Sequence, residues 1–247
     1  MSFSLRLNGT PAIDHLRHQN LPTPLFVIID YMKITKFVHA CLIAERNGKR
    51  ILVDPGSYSW QSGLIKDSLL QKIDSVIVTH AHPDHLHEDF VRAVVANSPD
   101  ATWYGPEEVV EILQKWGVEA SAHSDDSNIR FIKSEHADLS PWFSVQPEHT
   151  SFVILDELLI GGDCHTLTES YGARIFGGAI NGGPWGAVVG FSKMIEAMQS
   201  RPEIVIPLHD WHLNDEARAG IYANLPEVMG KLDVKFVPLE NAVSKEI

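Results

Sequence analysis

Residues 79–85, Thr-His-Ala-His-Pro-Asp-His, bring three imidazoles and one carboxylate into a short stretch of chain. Neutral imidazole and carboxylate are ligands for zinc, iron or manganese. His80 and His82 are two residues apart, so an extended backbone points both the same way. Asp84 and His85 open the next turn and face the same cavity from another side. A chain of this composition reaches His-x-His-x-Asp-His by chance roughly 0.002 times, which leaves an ordinary polar loop as the weaker reading. Two metals about 3.5–4 Å apart can share one water and lower its pKa toward neutrality, which is hydrolytic chemistry.

Elements on both sides must position these groups. Val76-Ile77-Val78 reads as a buried strand running into the motif, and Leu86, Phe90, Val91, Val94 and Val95 repeat at helical spacing after it. A strand-to-helix turn is where open α/β sheets place their sites. The first third reads as strands: Phe3, Leu5 and Leu7 alternate with polar residues, 25–29 is an apolar run, and 36–45 and 50–53 flank Asn47-Gly48, a hairpin signal. Helices are expected at 64–72, 107–116 (opened by Pro106), 191–200 and 216–225. Strands are expected at 74–79, 129–132, 143–146, 151–155, 158–161, 203–207 and 234–238. The glycine-rich stretch 172–186 reads as a loop at the site mouth; its spacing is not a dinucleotide fingerprint. The pattern predicts one α/β domain over residues 1–247, two sheets packed together and covered by helices.

The histidine motif after a hydrophobic strand resembles the signature of the metallo-β-lactamase superfamily. That resemblance implies a four-layer αββα sandwich with metals at one edge between the sheets. It also implies a ligand set: His80, His82 and His149 on a first metal, Asp84, His85 and His209 on a second, and Asp163 bridging. Asp84 and Asp163 are then the catalytic carboxylates. His136, in Ser134-Glu135-His136-Ala137-Asp138, is the rival for the third ligand, but reads as lying in a loop, and His149 is preferred. Asp54, in Asp54-Pro55-Gly56, matches a supporting carboxylate of the family that accepts the other N–H of a ligand histidine, and equally suits a turn. His39-Ala40-Cys41 and Pro207-Leu208-His209 resemble the L-ascorbate 6-phosphate lactonase branch, with Val38 where that branch carries glycine. Two divalent ions are implied, zinc first, with manganese or iron as alternatives.

His39, His165, His212 and Trp185 are candidates for the substrate pocket, and Tyr171 and Trp211 for its walls. Cys164 reads as a small buried thiol rather than a ligand. His15, His18, His87 and His123 carry no partner pattern. The chain has 247 residues, two cysteines and a net charge of −12. No apolar window is long enough to cross a membrane, no secretory signal precedes the first strand, and two cysteines make no disulfide framework; a reducing cytoplasm is expected. The acidic balance disfavours nucleic acid. The expected partner is a small-molecule substrate, with homo-oligomers left open. The expected reaction is hydrolysis of a small ester, lactone or phosphoester by a hydroxide bridging the two metals. Alternatives are an iron-dependent redox enzyme on the same fold and a non-catalytic metal-binding regulator.

Overall fold

The computed structural model describes residues 31–138, 140, 145–180 and 188–247. Expectations placed on residues 3–7, 25–29, 143–144, 181–186 and Trp185 lie outside them. Two six-stranded mixed sheets are present. In the first the order is β12 (Ser244–Glu246), β1 (Lys33–Lys36), β2 (Leu42–Arg46), β3 (Lys49–Val53), β4 (Ser75–Ile77), β5 (Thr102–Tyr104). In the second it is β11 (Lys235–Phe236), β10 (Ile204–Leu208), β9 (Ile175–Ala179), β8 (Leu158–Ile160), β7 (Thr150–Ile154), β6 (Ile129–Lys133).

Period-two side-chain alternation sorts the strands' apolar residues into three cores. Ile51 and Val53 of β3, Ile77 of β4, Phe152 and Ile154 of β7, Ile160 of β8 and Ile206 of β10 meet between the sheets. Leu52 and Val76 point the other way, onto Phe90, Val91 and Val94 of α2 (Glu88–Asn97) and Val109 and Leu113 of α3 (Glu107–Lys115). Val153, Leu159, Phe176 and Val205 pack against Phe191 and Ile195 of α4 (Val188–Ala197) and Leu225 and Met229 of α5 (Asp215–Gly230). The layers are helix, sheet, sheet, helix, as the resemblance implies. This double-sided burial is why the central strands read as unbroken apolar runs rather than as alternating ones. Each fully buried Leu, Ile or Phe contributes about 1.5–3 kcal/mol.

Several local expectations are corrected. The hairpin forms at Asn47-Gly48, both at positive φ, but 36–45 is two strands, not one. The chain reverses between Lys36 and Leu42, where Phe37 N–H donates to Cys41 O at 2.8 Å and His39 takes φ 67°. The helix expected at 64–72 is one 3₁₀ turn, Asp67–Leu69. Ser62 Oγ takes the Leu64 N–H at 3.1 Å, and Lys72 sits at φ 58°, so neither end continues. Residues 175–179, expected as part of a glycine-rich loop, are the central strand β9. A Cβ at Gly178 would stand 2.4 Å from the Phe176 ring, so the missing side chain makes room for a core phenylalanine. Val145 and Gln146 lie in no strand. A short α1 (Ser57–Gln61) follows β3, and α5 runs on through Pro226 to Gly230.

Candidate metal centre

Parallel strands from both sheets end at one edge. β3 delivers Asp54 and β4 delivers Thr79 and His80; across the cleft, β8 delivers Asp163 and β10 delivers His209. Asp54 is wholly buried, with φ 46°. Its Oδ1 accepts the Thr79 N–H at 2.7 Å, and its Oδ2 accepts the Thr79 hydroxyl at 2.9 Å and His85 Nδ1–H at 2.8 Å. That last bond fixes the His85 tautomer and turns Nε2 toward the cleft. Gly56 makes the approach sterically feasible: a Cβ there would lie 1.7 Å from the Asp84 carbonyl oxygen.

Two groups of donors form, each with its ligand atoms within 4.8 Å of one another: His80, His82, His136 and Asp163, and His39, Asp84, His85 and His209. In the first, His80 Nε2 lies 3.1 Å from His82 Nδ1. His136 Nδ1–H donates to Ala137 O at 2.7 Å, leaving Nε2 3.6 Å from Asp163 Oδ2. In the second, Asp84 Oδ2 lies 3.0 Å from His39 Nε2 and 3.5 Å from His209 Nε2. Asp163 touches both groups, with Oδ1 3.3 Å from His85 Nε2 and Oδ2 3.1 Å from His209 Nε2.

These groups fit divalent ions. His39 Nδ1, His85 Nε2, His136 Nε2 and Asp163 Oδ1 are buried and make no hydrogen bond. Buried polar atoms left this way are costly in a native protein and call for an explanation. Protonation states differ across the site. Burial drives His80 well below the usual imidazole value, with the His85 charge adding to it. Burial likewise lowers His82. Burial works to raise Asp163 and Asp84, but the surrounding histidines outweigh it and hold both carboxyls ionised. His209 is pulled down by burial, yet the Asp163 charge and hydrogen bonds to Asp163 and Asp84 raise it to about 9.

The sequence pattern of the Beta-lactamase superfamily domain matches residues 33–209, most of the chain. The chain belongs to the metallo-β-lactamase superfamily. Among its relatives, Protein Rv0786c of Mycobacterium tuberculosis is 25% identical, over 86% of this chain and 100% of that one. The UPF0173 metal-dependent hydrolase MJ1163 of Methanocaldococcus jannaschii is 27% identical, over 71% of this chain and 83% of that one. Igni18, a metallo hydrolase from the archaeon Ignicoccus hospitalis, superposes with a TM-score of 0.61 at 17% identity, covering 88% of this chain and 98% of its own. The superfamily fold therefore accounts for the convergence of strand ends at one edge, and metal-dependent hydrolases are among the relatives.

Within this superfamily frame, the structure brings together His80, His82, Asp84, His85, Asp163 and His209, and sets two further histidines among them. His136, not His149, stands in the first donor group. β6 and β7 are antiparallel, with Lys133 opposite Thr150, so both histidines reach the same sheet edge and strand position alone does not separate them. Both nitrogens of His149 are already engaged: Nδ1 with the Ser134 hydroxyl at 2.8 Å, and Nε2 accepting the Asp163 N–H at 3.1 Å. Burial pushes its pKa down to about 3, which keeps it neutral for that role. His149 therefore positions the Asp163 backbone. Gly162 permits the contact, since a Cβ there would lie 2.5 Å from His149 Nε2. His39, a candidate for the substrate pocket, stands in the second donor group.

Of the other candidates, His212 lies beside the second group, its ring 5.5 Å from His39 and 5.9 Å from His209. His165 Nε2 instead donates to Ala179 O at 3.0 Å, away from the donor groups. Tyr171 packs against the outer core of the second sheet. Cys164 is buried in that same core, with Sγ 3.4 Å from Thr166 Oγ1, and both cysteines are free. Sequence reasoning missed three residues. Tyr58 lies with its ring 5.1 Å from His39. Lys36 and Asp210 form a buried ion pair at 3.0 Å, three residues before His39 and one after His209.

Proposed function

We propose that the chain is a hydrolase of a small ester, lactone or phosphoester, working with two divalent ions. The observation that carries this is the pair of four-donor groups side by side, with Asp163 in contact with both. His80, His82, His136 and Asp163 would hold one ion; His39, Asp84, His85 and His209 the other. When bound, such a pair supplies Lewis-acid activation of water and of the attacked carbonyl or phosphoryl oxygen. Imidazole with carboxylate suits zinc, manganese or iron, and zinc is the first choice.

The chain's own part is preorganisation. Asp54 holds His85, His149 holds the Asp163 backbone, and His39 and His209 share Asp84 Oδ2. Asp84 is the open side of the site: its side chain is 21% exposed, against 10% for Asp163 and 1% for Asp54. Substrate is proposed to enter there. A thiol nucleophile finds no support, since Cys41 is buried with its pKa raised by that burial and Cys164 sits in the outer core. The net charge of −12 opposes polyanions, which supports a small, cytoplasmic metabolite over nucleic acid. Among the described residues no helix is long and apolar enough to cross a membrane.

The test combines metal analysis with a panel of lactones, esters, phosphodiesters, structured RNA and single-stranded DNA. About two ions per chain, and turnover of a small compound that Asp163→Ala removes, is expected. Full activity with one ion, or cleavage of nucleic acid alone, overturns the proposal.

A further inference from the structure

Beyond the donor groups, a run of aromatic rings leads from the buried site to the surface. His39 and His209 are buried, and His39 touches the Tyr58 ring at 5.1 Å and the His212 ring at 5.5 Å, both edge-on. Tyr58 in turn stacks on Trp211, centroids 5.4 Å apart and planes 23° from parallel. Trp211 is 47% exposed. The other described tryptophans, Trp60, Trp103 and Trp116, all pack into the helix-side core of the first sheet. An indole held open to solvent forgoes a large burial gain, and Trp211 does so against Tyr58, whose own ring touches His39.

The ring is also held in place from below. Asp210, between His209 and Trp211, accepts from Lys36 Nζ at 3.0 and 3.2 Å and from the Tyr222 hydroxyl at 2.7 Å. Lys36 Nζ further donates to Phe37 O at 3.2 Å and Asn241 Oδ1 at 3.1 Å. Two residues past His212, Asn214 Oδ1 caps α5 by accepting the Ala217 N–H at 2.8 Å. On the other side, the Ser57 N–H donates to Pro83 O at 2.9 Å, tying the helix that bears Tyr58 to the histidine motif. Both supports of the aromatic stack are thus bonded to the segments that present the donors.

We propose that Tyr58, Trp211 and His212 form a substrate subsite that takes a flat aromatic or conjugated group attached next to the scissile carbonyl or phosphoryl centre. The proposal rests on the two-metal hydrolase reading and adds the substrate class. Ring faces and edges receive π-systems with a defined offset or T-shaped geometry, which a branched aliphatic group does not match. Tyr58 and His212 touch His39 of the second donor group and Trp211 continues the stack outward from Tyr58, so a substituent extending from that group toward solvent meets these rings.

The probes are phenylphosphonate and methylphosphonate, tetrahedral anions that differ only in the substituent, titrated calorimetrically into metal-loaded protein. Phenylphosphonate should bind about three- to ten-fold tighter, the worth of one aromatic contact. Trp211→Ala should abolish that preference while methylphosphonate affinity, metal content and the circular-dichroism spectrum hold. Trp211→Phe should restore most of it. Equal affinity in the wild type overturns the subsite, and a preference that survives Trp211→Ala overturns its assignment to this stack. If neither anion binds, the hydrolase reading itself fails and takes the subsite with it.

Discussion

The two donor groups are built in opposite ways. His80 and His82 come from one extended stretch, joined by His136 and Asp163, which follow β6 and β8 on either side of β7 in the second sheet. The second group gathers His39 from the β1–β2 reversal and His209 from the end of β10, on different sheets, around Asp84 and His85. His39 and His209 both sit at positive φ, 67° and 60°, and the His209 N–H donates to His39 O at 3.1 Å. Strain of this kind is kept only where the surroundings over-determine it. Here Lys36 and Asp210, 1% and 5% exposed, pin the two reversals together. The first group is thus a local motif completed by a sheet; the second is a tertiary closure held by one buried ion pair.

Breaking the shared member should hit hardest. Asp163→Ala removes the contact common to both groups, so turnover should fall by on the order of 10²–10³-fold, the range for losing one preorganised electrostatic partner. Metal per chain should drop in both groups; loss confined to one would refute sharing. Next in size is the contrast of His136→Ala with His149→Ala. The first should cost one ion per chain, measured by elemental analysis. The second should keep both ions at stoichiometric loading but weaken affinity about 10–100-fold, as removal of a supporting partner does. The reverse pattern would return His149 to the ligand set.

The sequence made the first group legible because its chemistry is local. Spacing alone puts His80 and His82 on one side of a strand, and apolar runs before Asp163 and His209 place both at sheet edges. It preferred His149 to His136, which read as a loop residue; both flank the β6–β7 pairing, and only the hydrogen bonds of His149 show that it is already occupied. His39 was a candidate beside the site but not a donor; the reversal that carries it depends on a positive φ that no glycine advertised. The three-core layering was readable from the apolar runs, while β9 was hidden by its glycines, of which Gly178 makes room for Phe176.

A milder way to probe the comparison leaves every donor in place. Burial alone would raise the Asp210 carboxyl, but the Lys36 charge and the Tyr222 hydroxyl hold it low. Lys36→Met strands that carboxylate, and breaking a buried pair from one side costs about 3–5 kcal/mol. A Lys36→Met/Asp210→Leu double variant removes both charges and should recover most of the stability in urea melts. It should nonetheless bind the second ion more weakly than the first, because the reversals bearing His39 and His209 lose their clamp. Equal weakening at both sites would mean that the pair serves the fold at large.

The smallest effect is a count of protons. In the metal-free protein His80 and His82 are lowered by burial and are neutral at pH 7. His39 is lowered by burial to about 3 and is neutral as well. His209 differs: although burial opposes it, the neighbouring carboxylates raise its pKa to about 9, and His85 is raised by Asp163 and Asp54 in the same way. A raised histidine stabilises the fold fully below its unfolded value near 6.5 and loses that contribution as pH climbs through about 9. A metal needs the imidazole lone pair, so loading the second group at pH 7 must expel the His85 and His209 protons, whereas His80 and His82 release none. Calorimetric titration of metal in buffers of different ionisation enthalpy reads this directly. Proton release should accompany the ion bound by the second group, shrink as the starting pH passes 9, and fall in His209→Ala. Loading at pH 7 without proton release would show that the two groups do not differ in charge state, and the electrostatic half of the comparison would fall.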